Sequence, residues 1–120
     1  TTLCHLIGTP WHPQFSGCLL FLEDRGEAPY RIDRMLTQMK LAGCFEGLAG
    51  LVLGSFEKCS PEPEIYRIFT EIFSDIDIPI LAGFPAGHGE PNIILPMGIT
   101  ARLDADAGAL ICLETPAAPV

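Results

Sequence analysis

Two places in the chain hold residue types that can move protons. The first is Glu23-Asp24, directly after the apolar run Cys18-Leu19-Leu20-Phe21-Leu22. A carboxylate that follows five apolar residues is partly buried, and a buried carboxylate needs a partner. A histidine is the obvious candidate. The plainer alternative is a pair of charges that ends a strand where it meets water. The second place is His88, set between glycines in Gly87-His88-Gly89. Glycine on both sides removes bulk around the ring and opens backbone angles closed to other residues. That suits an imidazole which a substrate must approach; the alternative is an exposed loop histidine. A carboxylate and an imidazole together can orient and activate a nucleophile.

Other chemistries fit less well. His5 and His12 lie in an irregular N-terminal segment and read as structural or solvent-exposed. A metal site drawn from Glu23, Asp24, Glu27, His88 and Glu90 has one good nitrogen ligand and no recognised spacing. Gly83, Gly87 and Gly89 match neither G-x-G-x-x-G nor the P-loop, so no nucleotide is implied. Ser55, in Gly54-Ser55-Phe56, follows a strand-like run but lacks the G-x-S-x-G frame of a nucleophile elbow and reads as a turn cap. The residues thus amount to half a catalytic apparatus, a base and its orienting acid without a nucleophile.

The elements that must position this pair can be read from periodicity. Cys18–Leu22 is a strand buried on both faces. Pro29 suits a first helical position, and Ile32, Met35, Leu36 and Met39 follow at helical spacing, closed near Gly43. Gly50-Leu51-Val52-Leu53-Gly54 is a second buried strand. Ser60 as N-cap and Pro61 open a second helix, with Ile65, Ile68, Phe69, Ile72 and Phe73 on one stripe. Ile80-Leu81-Ala82 is a third strand, and a Gly- and Pro-rich loop spans Gly83–Pro91. Ile99–Asp104 alternates and, after the Asp106-Ala107-Gly108 turn, pairs with Ala109–Leu113 as a hairpin. The tail from Thr115 to Val120 reads as loose. The fold class is α/β, a parallel β-α-β-α-β core with right-handed crossovers followed by an antiparallel hairpin. Sites in such sheets form at the carboxyl ends of strands. Glu23 and the His88 loop both belong there, so they are expected on one edge at roughly 3 Å.

Composition narrows the function further. The chain has 120 residues, the size of one domain. A net charge of −8 with seven scattered basic residues argues against nucleic acid and against a polybasic membrane patch. Charged residues make up only 18%, against 48% hydrophobic. Either part of the surface is covered by another domain or subunit, or the domain is simply rich in buried strands. An apolar face beside His88 follows from the first reading. The five cysteines are odd in number and without C-x-x-C spacing. Cys18, Cys44 and Cys112 sit among apolar neighbours and read as small buried hydrophobes in a reducing compartment. No apolar run approaches the length of a membrane span. A start at Thr1 without Met reads as an excised fragment.

Gly8-Thr9-Pro10, Phe15-Ser16-Gly17 and Leu20-Phe21-Leu22-Glu23-Asp24 resemble the LD-carboxypeptidase family of serine peptidases, which also includes the microcin C self-immunity peptidases. The resemblance continues through Glu27–Leu36, Gly50–Phe56, Gly87-His88-Gly89 and Leu95-Pro96-Met97-Gly98, and covers the chain to about Leu113. Its most specific parts are P-Y-R-I-D-R-M-L and G-H-G. It implies a two-domain enzyme with a Ser-Glu-His triad. The N-terminal domain would carry the serine on a strand-to-helix turn beside the oxyanion donors. Residues 1–120 would be the C-terminal domain, a swivelling β/β/α fold. Carried over by position, the triad acid is Glu23 and the histidine His88, with Glu27 the weaker alternative acid; Gly87 and Gly89 would border the substrate. The family releases a terminal D-amino acid, as in recycled murein tetrapeptides, in the cytoplasm, without metal or organic cofactor, and often as a homodimer. The rival expectations are a microcin C-type immunity peptidase, which releases an aminoacyl nucleotide mimic, and a non-catalytic accessory module.

Overall fold

The computed structural model describes residues 1–115, so the expected loose tail lies, beyond Thr115, outside the described residues. A short 3-10 turn at Thr2–Leu6 precedes β1 (Leu19–Arg25), α1 (Pro29–Leu41), β2 (Gly50–Glu57), α2 (Glu62–Ile72), β3 (Ile80–Leu81), β4 (Ala101–Asp104) and β5 (Ala109–Cys112). The first three strands form one parallel sheet with β2 in the centre, and β4 and β5 form a separate antiparallel pair. This is the expected β-α-β-α-β core followed by a hairpin.

Each helix forms where its apolar stripe finds the sheet. α1 opens on Pro29 and buries Ile32, Leu36 and Met39. Its chain leaves through Gly43, whose φ of 75° is left-handed. α2 buries Ile65, Ile68 and Phe69, with Phe73 buried just past its end. The N-cap of α2 is Pro61 rather than Ser60, and no side chain caps it. Glu62 and Glu64 in the first turn instead complement the positive end of the helix. Both helices pack on the same face of the sheet, where they form one cluster with Leu20, Leu51, Leu53 and Phe56. Burying each such side chain contributes about 1.5–3 kcal/mol. Lys40 near the end of α1 locks the helix pair. Its Nζ donates to the Ile72 carbonyl at the end of α2 and to Asp75, each at 2.5 Å.

The hairpin covers the opposite face. Val52, which alternates with Leu51 and Leu53, lines a shared cavity with Leu19, Phe21, Ala101 and Leu110. Leu103 comes so close to Gly50 that a β-carbon there would lie 3.0 Å from it. The layers are therefore hairpin, sheet and helices.

Three expectations are corrected. β1 runs on through Glu23 and Asp24 to Arg25, and β2 runs past Gly54 to Glu57, so Glu23 stands within its strand rather than beyond it. The pairs Asp24–Phe56 and Arg25–Glu57 hold these polar ends to each other, beyond the reach of apolar periodicity. The hairpin strands, Ala101–Asp104 and Ala109–Cys112, are slightly shorter than expected, with one further backbone bond from the Leu113 amide to the Thr100 carbonyl at 2.9 Å. Of the three cysteines expected inside, Cys44 is buried but Cys18 and Cys112 are exposed, one before β1 and one at the end of β5. Cys4 and Cys59 are buried instead.

Candidate active site

The site begins with an irregularity in the parallel pairing of β1 and β2. Between the partners Leu22–Leu53 and Asp24–Phe56, β1 has one residue, Glu23, while β2 has two, Gly54 and Ser55. This is a β-bulge, which re-aims side chains next to it. Strict alternation would put Ser55 with Leu53 against the helices. With the extra residue, Phe56 takes the helix side, its ring 5.4 Å from that of Phe69. Ser55 is left facing the loop that carries His88.

That loop stays bonded to β2 after β3 ends. The Phe84 amide donates to the Leu53 carbonyl at 2.9 Å, and the Ser55 amide donates to the Ala86 carbonyl at 2.9 Å. The close approach requires glycine at 54. A β-carbon there would lie 2.5 Å from the Ala86 oxygen and 2.6 Å from the Phe21 ring. Gly87 then takes a φ of 118°, a conformation side chains disfavour, and a β-carbon on it would lie 2.7 Å from Ser55 Oγ and 2.8 Å from Glu23 Oε2. At Gly89 a β-carbon would come within 2.9 Å of Ser55 Cβ. The room left by both glycines is used from inside the domain, by Glu23 and Ser55.

His88 and Glu23 meet on this edge. The ring Nδ1 is 2.6 Å from Glu23 Oε2, and the His88 amide donates to the same oxygen at 3.2 Å. Glu23 is 23% exposed and His88 52%. A carboxylate accepts only, so the proton on this bond belongs to Nδ1. The lone pair of Nε2 is then free, on a ring half open to solvent and without another bonded partner among the described residues. The arrangement can take a proton from a group delivered to Nε2, while Glu23 fixes the tautomer.

The other candidates are placed elsewhere. Asp24 accepts from the Thr1 hydroxyl at 2.9 Å and from the Arg25 amide at 2.8 Å. Glu27 pairs with Arg31 at 3.6 Å. Among the described residues, no three of His, Cys, Asp and Glu converge as metal ligands would. His5 is exposed in the 3-10 turn, and His12 Nε2 lies 3.8 Å from Cys44 Sγ. Burial pushes the Cys4, Cys44 and Cys59 thiols above their ordinary range, which makes them poor nucleophiles. Ser55 does not cap a turn as expected: it sits in β2, and its Oγ accepts from the Gly89 amide at 2.9 Å. Sequence reasoning missed Asn92, whose Oδ1 accepts from the Gly87 amide at 3.1 Å. Beyond His88 in sequence the chain exposes Ile93, Ile94 and Met97.

A histidine–carboxylate pair thus stands at the carboxyl end of a parallel sheet that is layered between two helices and a hairpin. Residues 1–103 match the model of the LD-carboxypeptidase C-terminal domain, and the chain belongs to that family. It is 42% identical over 115 residues to a putative carboxypeptidase of Synechocystis sp., covering 92% of this chain and 38% of that protein. The structure of a muramoyltetrapeptide carboxypeptidase from Oxalobacter formigenes superposes with a TM-score of 0.76 at 36% identity, over 91% of this chain and 40% of that one. The microcin C7 self-immunity protein MccF, in complex with aspartyl sulfamoyl adenosine, gives a TM-score of 0.85 at 27% identity, over 98% of this chain and 36% of MccF. The chain thus spans little more than a third of the length of its relatives. Among the described residues, no helix is long and apolar enough to cross a membrane.

Proposed function

We propose that this domain supplies the acid and base of a serine-type LD-carboxypeptidase, with Glu23 and His88 as two members of a Ser-Glu-His triad. The observation that carries the reading is the 2.6 Å bond from Nδ1 of His88 to Glu23 on a domain of this family. The nucleophilic serine and the oxyanion donors come from an N-terminal domain. The serine attacks the carbonyl of the bond to a terminal D-alanine while Nε2 of His88 takes its proton. The same proton then passes to the amine as the C–N bond breaks, and water repeats the cycle on the acyl-enzyme. Gly87 and Gly89 let the loop pack directly on Glu23 and Ser55, and the half-exposed ring leaves Nε2 within reach of the substrate. The reaction needs no metal or organic cofactor.

The substrate in this reading is a murein tetrapeptide, as the name of the Oxalobacter relative suggests. A microcin-type substrate is the second reading, favoured by the closer superposition on MccF. Free thiols at all five cysteines fit a cytoplasmic setting, and we place the enzyme there as a homodimer. The test is release of D-alanine from murein tetrapeptide by the intact protein. Release should vanish in His88→Ala, and its persistence there removes the proposal.

A further inference from the structure

His88 presents a physical problem. A half-exposed side chain between two glycines, in a loop without regular structure, should lose its geometry easily. The structure answers with three consecutive bonds. The amides of residues 87, 88 and 89 each donate to a side chain: Gly87 to Asn92 Oδ1 at 3.1 Å, His88 to Glu23 Oε2 at 3.2 Å, and Gly89 to Ser55 Oγ at 2.9 Å. Three successive amides can hardly all find side-chain acceptors unless the backbone is held in one conformation. The acceptors come from three separate places, the loop itself, β1 and β2.

We propose that Ser55 and Asn92 are positioning residues that clamp the backbone on either side of His88 and so hold its ring in register with Glu23. Ser55 can serve only because the bulge turns it away from the helices toward the loop. Glu23 alone is not enough: it fixes the His88 amide and Nδ1 through one oxygen, which leaves the flanking peptides free to rotate about that point. The clamps on residues 87 and 89 remove that rotation. Nε2 is thereby aimed outward before a substrate arrives, as efficient proton transfer requires.

This inference rests on the triad reading, and the test separates the two. kcat and KM for D-alanine release are measured on the intact enzyme, with His88→Ala as reference. Ser55→Ala and Asn92→Ala should each lower kcat about 10- to 100-fold, with KM and melting temperature little changed. Asn92→Asp keeps an acceptor oxygen and should recover most of what Asn92→Ala loses. Wild-type kcat in both alanine variants, with His88→Ala inactive, overturns the clamp and leaves the triad standing. Activity in His88→Ala overturns the triad reading beneath it. A loss shared in full by Asn92→Asp, or matched by a fall in melting temperature, overturns the clamp in favour of a general structural role.

Discussion

Oε2 of Glu23 accepts two hydrogen bonds from one residue 65 positions away, from the ring Nδ1 of His88 at 2.6 Å and from its backbone amide at 3.2 Å. One oxygen therefore orients both the imidazole and the peptide that carries it. This makes Glu23 and His88 a unit, and their variants should not behave independently.

In the intact enzyme His88→Ala should lower kcat by about 10⁴- to 10⁶-fold without unfolding the protein. Glu23→Gln should cost on the order of 10⁴-fold, because its amide can present a donor where Nδ1–H needs an acceptor. The double variant should be little worse than His88→Ala. Steady-state kinetics on murein tetrapeptide, with circular dichroism to check folding, decides this. A fully additive double variant would show that the two residues act separately.

Gly87→Ala should disable the site while leaving the core intact. The new β-carbon meets Ser55 Oγ and Glu23 Oε2 and also strains a φ of 118°. The expected loss in kcat is about 100-fold or more. Gly54→Ala should act from further away, because the Ala86 carbonyl and the Phe21 ring must both retreat. It should cost about 1–3 kcal/mol of stability in addition to activity. Thermal melts alongside the kinetics distinguish the two, and equal destabilisation by both would contradict this account.

Residues 1–120 expressed alone should fold and hydrolyse nothing. The cluster of Leu20, Leu51, Leu53 and both helix stripes is complete within the chain. A base and a carboxylate without an attached nucleophile and oxyanion donors give little acceleration on an amide. The assay is D-alanine release from murein tetrapeptide by the purified fragment. Sustained release that disappears in His88→Ala would mean that the nucleophile lies within these residues.

The Lys40–Asp75 contact should make a small contribution to stability that depends on pH. The hydrogen bond from Lys40 holds the Asp75 carboxyl below its ordinary range. A depressed carboxyl stabilises the fold above its unfolded-state range, and that contribution is lost as pH falls through the folded-state value. Lys40→Met should therefore lower the melting temperature at neutral pH by roughly 1–4 °C. The gap should narrow in acid but not close, since the bond from Lys40 to the Ile72 carbonyl does not titrate. A gap that widens in acid would reverse the assigned sign.

Periodicity alone determined the order of elements, the amphipathic faces of both helices and the edge of the sheet where Glu23 and His88 belong. Those signals are local: apolar spacing, Pro29 at a helix start, and glycines around one histidine. The family resemblance was legible in short motifs for the same reason. Tertiary structure decided what local signals do not encode. The bulge at Gly54-Ser55 arises from the mismatch of two strands, and neither strand's sequence displays it. It turned Ser55 from an apparent turn cap into a partner of Gly89. Asn92 carried no signal because its bond is to a backbone amide, and any backbone amide can donate to such a side chain. The exposure of Cys18 and Cys112 was likewise hidden, since apolar neighbours in sequence do not fix which strand ends the next layer covers. The two glycines beside His88 stand out in the sequence. Only the folded chain shows that the space they leave is filled by the carboxylate and hydroxyl that hold the loop.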